Sequence, residues 1–251
     1  QTSGQSVTFT ATNGNISFTD SSDTIETSGG SIVMSAGGTL SVGVMKTNGG
    51  DITLAGTDFN LSGALNAGAG TLTILGGSGE TIGLDGTTAG TTASTVSTIC
   101  NGSACGLTLV QSELSDITAA KLVIGDSSSG NMYIDGVTLS HISGGVTLNS
   151  SGSNGSVEFG TSASTLKLVT VNAGNGITVR GDLTVSSATF NADSDGSGVG
   201  DFSIDASKTL STGNNSLALT ANDVTLSGSI SSGTGSTTIA VSDGGTIGLG
   251  G

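Results

Sequence analysis

The chain has 251 residues, a hydrophobic fraction of 34% and a formal net charge of −14 at pH 7. Five Lys and Arg residues against 19 Asp and Glu residues repel phosphate backbones, which argues against nucleic-acid binding. No apolar run approaches the roughly 18 to 20 residues that span a bilayer, so membrane insertion is not expected either. With 44 glycines, no proline and few strong helix formers, the chain is predicted to be nearly all β.

The predicted strands are short runs of alternating apolar and polar residues, separated by Gly, Asn and Ser. In chain order they are SVTFTA, GNISFTD, GSIVMSA, GDITLAG, GTLTILG, GLTLVQ, GVTLNS, GSVEFG, GITVRG, LTVSS, GDFSID and NSLALTA.

Several of these runs recur about 20 residues apart. Ile32, Ile52 and Leu72 keep this spacing, as do Val157 and Ile177. A period near 20 is typical of a solenoid, in which each coil stacks its strands on those of the previous coil. We therefore predict an all-β, right-handed parallel β-helix with coils of about 20 residues. An antiparallel sandwich is the alternative, although its strands need not keep a stacking period.

A longer repeat is superimposed on the coils. Residues 49–86 align without gaps on residues 214–251, with 15 of 38 positions identical. We therefore divide the chain into residues 1–86, the end of one long module, and residues 87–251, the next module. An irregular excursion at 87–106 carries the cysteines, and VQSELSDIT at 110–118 predicts one helical turn that buries Leu114 and Ile117. The parent chain is expected to be longer.

Cys100 and Cys105 flank the short loop NGSA, a spacing at which a tight loop brings two cysteines into bonding range. A local disulfide fits a secreted protein, whereas two buried free thiols fit a reducing compartment.

One segment resembles the first half of a calcium loop. In NADSDGSGVGD, Asn191, Asp193 and Asp195 alternate as oxygen ligands do, and a glycine follows at the sharp turn. Position twelve of the pattern is Phe202, and Asp201 lies one place early. Asn191, Asp193, Asp195 and Asp201 are the candidate calcium ligands, and a solvated acidic turn is the alternative.

Signals for catalysis are weak. His141 is the single histidine, and no nucleophile-elbow motif accompanies it. β-Helices that cleave polysaccharides line a groove with aromatic and basic residues, which are scarce in this chain. We expect no catalytic residues and no cofactor, with a carbohydrate-binding or carbohydrate-cleaving β-helix as the alternative. Thr-x-Thr pairs occur singly, so we expect no stacked threonine column of the kind associated with ice binding.

Two long stretches carry a family resemblance. GLTLVQSELSDITAAKLVIGDSSSGNMYIDGVTLS, at 106–140, and ATFNADSDGSGVGDFSIDASKTLSTGNNSLALTANDVTLSGSISSGTG, at 188–235, resemble the repeat regions of filamentous-haemagglutinin-like large bacterial exoproteins. The resemblance implies a long right-handed parallel β-helix, exported to the cell surface or the medium by two-partner secretion through an outer-membrane partner. The amino-terminal secretion-recognition domain of that family is not apparent in the chain.

The resemblance also implies a role. These exoproteins adhere to host or neighbouring-cell surfaces, glycans or matrix, and contribute to biofilms. We therefore expect a non-catalytic structural segment of a secreted or cell-surface fibrous adhesin. The alternative is a filament subunit that stacks end to end, since exposed terminal coils tend to associate.

Overall fold

The computed structural model describes residues 4–18, 20, 22–86, 100 and 104–243. Almost all regular structure in this part of the chain is β-strand, apart from one five-residue helix, α1 (Gln111–Ser115). The predicted helical turn is confirmed, and Leu114 and Ile117 are both buried. Among the described residues, no helix has both the length and the apolar character that crossing a membrane requires.

The strands are two to six residues long, as expected where glycine and asparagine interrupt the apolar alternation so often. In chain order they are β1 (Val7–Ala11), β2 (Ile16–Ser17), β3 (Thr24–Glu26), β4 (Ile32–Ala36), β5 (Thr39–Val42), β6 (Val44–Lys46), β7 (Ile52–Ala55), β8 (Asp58–Leu61), β9 (Leu65–Asn66), β10 (Thr71–Leu75), β11 (Ile82–Asp85), β12 (Leu107–Val110), β13 (Ile117–Thr118), β14 (Lys121–Ile124), β15 (Met132–Asp135), β16 (Thr138–Leu139), β17 (Val146–Ser150), β18 (Val157–Phe159), β19 (Ser164–Leu166), β20 (Leu168–Ala173), β21 (Ile177–Val179), β22 (Leu183–Thr184), β23 (Ser187–Asn191), β24 (Phe202–Ile204), β25 (Thr209–Ser211), β26 (Leu217–Ala221), β27 (Val224–Leu226), β28 (Ser229–Ser231) and β29 (Thr237–Val241).

The strands form parallel sheets in which strands of successive coils lie side by side. The longest sheet has ten strands in the order β1-β4-β7-β10-β14-β17-β20-β23-β26-β29. A seven-stranded sheet, β12-β11-β15-β18-β21-β24-β27, lies beside it, and three shorter sheets complete the coils. This arrangement is a parallel β-solenoid of about nine turns, so the predicted all-β parallel β-helix is confirmed and the antiparallel sandwich is wrong.

The predicted register is confirmed where the sequence period is regular. Ile32 pairs with Ile52, and Ile52 pairs with Leu72. Over the whole stack the coils lie about 23 residues apart, more than the predicted 20. The difference comes from the turns, which vary in length: Ala188 pairs with Leu217, and the long turn 192–201 lies between them.

A single apolar core fills the solenoid, because alternate residues of most strands point inward. The ten-stranded sheet contributes fully buried side chains from successive coils, such as Met34, Leu54 and Ile74. Three phenylalanine rings pack together in the later coils, with the ring centroid of Phe190 6.2 Å from that of Phe159, edge to face, and 5.7 Å from that of Phe202. The core therefore depends on contacts between neighbouring coils, as in other repeat proteins.

The stacking order is inverted at the excursion. β12 follows β11 in sequence, yet β11 lies between β12 and β15 in the sheet. In the ten-stranded sheet Leu72 pairs directly with Leu122, a step of 50 residues. The excursion thus adds one extra strand to the seven-stranded sheet without a matching strand in the ten-stranded sheet. Residues 87–99 and 101–103, in the predicted irregular stretch, lie outside the described residues.

Side chains of α1 bond to backbone groups that neighbouring strands leave free at this inversion. The Glu113 carboxylate accepts hydrogen bonds from the N–H groups of Leu61 and Val110, each at 3.0 Å. The Gln111 side-chain amide accepts from the Thr138 N–H at 2.8 Å and donates to the Thr138 carbonyl at 2.9 Å. Two polar side chains of one short helix therefore take the place of missing strand partners.

Thr-x-Thr pairs do not stack on one another in the described strands, since Thr10 pairs with Ser35 and Thr71 with Lys121, but single threonines do form short columns. On the outer face of the ten-stranded sheet, Thr53 pairs with Thr73, and Thr147, Thr170 and Thr189 pair in succession. Three residues without a hydroxyl interrupt the column: Val33, Val123 and Ala218. They leave runs of two and three threonines. These β-branched residues favour the extended backbone of the sheet.

Candidate functional site at one corner of the solenoid

One corner of the solenoid carries the turns that vary most in length. It joins the ten-stranded sheet to the next strand of each coil, and we call it the turn corner. Repeat proteins often bind their ligands with loops inserted on one face. The turns at this corner have two residues at 37–38, 56–57 and 222–223, three at 174–176, four at 12–15, six at 76–81 and 151–156, seven at 125–131 and ten at 192–201.

The first three long turns enclose a concavity of about 480 Å³, which we call the polar concavity. Its described lining residues are all Ser, Thr, Asn or Gly, and they are Gly79, Thr81 and the residues at 127–131 and 152–155. The wall therefore offers hydroxyl, amide and backbone groups.

Hydrogen bonds between the turns hold the concavity open. The Gly79 N–H donates to the Ser128 carbonyl at 2.7 Å, and the Gly130 N–H donates to the Glu80 carbonyl at 2.8 Å. The Asn131 side-chain oxygen accepts from both the backbone N–H and the hydroxyl of Ser156, at 3.1 and 3.0 Å. Each turn is thus fixed to the next.

The middle turn is also organised from within by Asp126. One oxygen of its carboxylate accepts from the Ser128 N–H and hydroxyl, each at 2.7 Å. Burial works to raise the pKa of Asp126, but the hydrogen bonds from Ser128 and Ser129 together outweigh it and lower the pKa below its ordinary value. Asp126 is therefore a structural anion of the turn.

The proposed calcium residues lie farther along the same corner. Asp193 is 3% exposed, and its carboxylate accepts from the N–H groups of Ser197 and Gly198, at 2.9 and 3.1 Å, and from the Ser242 hydroxyl. The Asp195 carboxylate accepts from the same Ser197 N–H at 3.3 Å. Protein donors thus occupy both oxygens of Asp193.

The other two candidates face different surroundings. The Asp201 carboxylate accepts from the Asn222 amide at 3.2 Å and the Asp223 N–H at 3.1 Å, both in the following coil. The side-chain oxygen of Asn191 is buried without a hydrogen-bond partner. Among the described residues, no three His, Cys, Asp or Glu side chains are grouped to hold a metal ion. Calcium binding at these four residues stays a prediction.

The Asp193 turn gives a testable pH dependence. Burial works to raise the pKa of Asp193, but hydrogen bonds from Ser242, Gly198 and Ser197 together lower it below its ordinary value of 3.8. A lowered carboxyl pKa stabilises the fold above pH 3.8, and this contribution is lost as the pH falls through the folded-state pKa. We expect Asp193→Asn to reduce the free energy of unfolding at pH 7 by about 1 to 3 kcal/mol and to flatten its acid dependence.

Chemical denaturation at pH 7 and at lower pH measures both effects, with the exposed Asp195→Asn as the matched control. If Asp193→Asn and the wild type lose stability in parallel as the pH falls, the role assigned to Asp193 is wrong.

The remaining candidate residues are the two cysteines and the histidine, and Gly106, next to Cys105, donates its N–H to the Thr81 hydroxyl at 3.0 Å. Cys100 and Cys105 form a disulfide with their Cα atoms 5.3 Å apart, and Cys100 is buried. His141 is exposed. The sequence reasoning missed the polar concavity, although the Ser- and Gly-rich turns GDSSSGN and SGSNGS were visible as unusually long interruptions.

Comparison with known proteins gave no matching family model, no matching curated protein and no matching solved structure.

Proposed function

We propose that this chain is a non-catalytic rod segment of an extracellular fibrous adhesin, held at the cell surface or in a biofilm matrix. The observation that carries the proposal is the ten-stranded parallel sheet, in which successive coils extend the molecule along one axis. At about 4.8 Å per coil, nine steps give a length of about 43 Å. Such stacking lengthens a protein without new folding information, which suits a fibre.

Two further features support an extracellular location. The Cys100–Cys105 disulfide is of the kind that persists in oxidising compartments. The net charge of −14 keeps such a rod soluble and discourages nonspecific contact with anionic lipid surfaces.

The turn corner supports the second part of the proposal, which is attachment to a surface. Loops that vary in length on a regular scaffold are where repeat proteins place binding residues. The three turns of the polar concavity and the turn at 192–201 are the long ones at this corner. We therefore assign contact with a host cell, a neighbouring cell or matrix to this corner.

Attachment is tested with beads that carry the purified chain. We expect these beads to adhere to cultured epithelial cells or to bacterial biofilm more than beads that carry an unrelated acidic protein of similar charge. Attachment no greater than this control on every surface would overturn the adhesive role.

A further inference from the structure

We propose that the polar concavity binds a neutral carbohydrate through Ser127, Ser153 and Asn154. The inference rests on the proposed adhesive function, because it names the ligand class of the attachment site. Three properties of the concavity lead to it: free polar side chains, an uncharged wall and a rigid frame.

The free polar side chains are the first property. Ser127, Ser153 and Asn154 line the concavity and are exposed, and their side chains make no hydrogen bond to another described residue. Ser128 and Asn131, in the same wall, are instead used to hold the turns together. Ser128 and Asn131 therefore stabilise the concavity, whereas the hydroxyl and amide groups of Ser127, Ser153 and Asn154 face solvent.

The wall selects a neutral, hydroxylated ligand. None of its described residues is charged or has a large apolar side chain. An anionic ligand would find no Lys or Arg there and would be repelled by a chain of net charge −14. A hydrophobic ligand would leave the hydroxyl and amide groups of the wall without hydrogen-bond partners. Sugar hydroxyls both donate and accept, so they match Ser and Asn side chains.

The nearby carboxylates do not change this chemistry. The Asp126 carboxylate accepts from Ser128, and Glu80 accepts from the Gly77 N–H at 2.9 Å. Both carboxylates are therefore engaged in holding turns.

Size and rigidity complete the argument. A volume of about 480 Å³ falls within the range of small-molecule sites, roughly 300 to 1,000 Å³. A Cβ atom on Gly130 would lie 2.5 Å from the Gly79 carbonyl oxygen, so the two turns approach as closely as a bare backbone allows. A frame fixed before binding loses little entropy when a ligand arrives.

The experiment uses the purified chain and saturation-transfer NMR with lactose, cellobiose and N,N′-diacetylchitobiose as neutral probes. 3′-Sialyllactose is the charged comparison. We expect saturation of at least one neutral probe and weaker saturation of the sialylated one.

Two variants locate the binding. Ser127→Ala/Asn154→Ala removes polar groups that have no partner within the described protein, and we expect about tenfold weaker binding with unchanged circular dichroism. Ser153→Trp fills the concavity and is expected to abolish binding. Asn13→Ala, at the exposed turn 12–15 of an earlier coil, is the matched control and is expected to bind as the wild type does.

The inference is overturned if no neutral probe is saturated, if the double variant keeps wild-type affinity, or if the sialylated probe binds best. These outcomes are separable from failure of the adhesive function. If beads attach equally well with wild type and double variant and no sugar binds, the carbohydrate site is wrong and the adhesive function stands on another surface. If sugar binds but the beads do not attach, the adhesive function is wrong and the carbohydrate site stands.

Discussion

Replacing Phe190 with alanine is expected to lower the free energy of unfolding by about 3 to 5 kcal/mol. Its side chain is 1% exposed and lies between the rings of Phe159 and Phe202. Removal of the ring leaves a cavity between neighbouring coils. The backbone cannot move in to fill this cavity, because the strand hydrogen bonds hold the coils at a fixed spacing. The loss should therefore combine the transfer free energy of the ring with the cost of the cavity.

The matched control is Phe9→Ala. Phe9 also contacts a second ring, with its centroid 6.3 Å from that of Phe18, but it is 38% exposed. We expect its substitution to cost much less in urea denaturation. Hydrogen exchange of the coils around β18, β23 and β24 shows whether the loss is local, as solenoids allow. Equal losses for Phe9→Ala and Phe190→Ala would contradict the inter-coil packing.

Glu113→Ala should give the second large effect, a loss of about 2 to 4 kcal/mol. The carboxylate accepts the N–H groups of Leu61 and Val110 where the strand ladder is interrupted, and it is 6% exposed. Alanine leaves both donors without an acceptor, and each buried unsatisfied donor costs about 1 to 3 kcal/mol. Relief of the buried charge offsets part of this cost.

Glu158→Ala is the control for Glu113→Ala. Glu158 pairs with Arg180 at 2.8 Å on the surface, where both side chains are partly exposed, so its loss should cost less than about 1 kcal/mol. Urea denaturation at pH 7 compares the two variants. If they are equally stable, Glu113 does not close the interrupted ladder.

Glu113 also gives a pH dependence opposite in sign to that of Asp193. Burial raises the pKa of Glu113 above its ordinary value of 4.5; hydrogen bonds from Val110 and Leu61 oppose the rise, and the Asp58 charge adds to it. The folded chain then holds a proton that the unfolded chain has lost, so stability falls as the pH rises from 4.5 through the folded-state pKa. Asp193 acts below pH 3.8, so the two effects occupy different windows.

The proposed calcium loop shows what a local sequence pattern does not predict. The alternation of Asn191, Asp193 and Asp195 is visible in the sequence, but the groups that donate hydrogen bonds to Asp193 include the hydroxyl of Ser242, which lies 49 residues away. No local pattern reports such a partner, because turn length and coil stacking together decide which turns meet.

The sequence by itself determined the parallel solenoid and much of its register, from the pairing of Ile32, Ile52 and Leu72 to that of Val157 and Ile177. It did so because alternating apolar residues at a near-constant period can bury a common face only by stacking coil on coil. The inverted order of β11 and β12 and the polar concavity were decided by the tertiary structure. Both depend on which strand the chain pairs with after an irregular turn. Gly, Ser and Asn allow the backbone of such a turn many conformations, so they do not specify that strand.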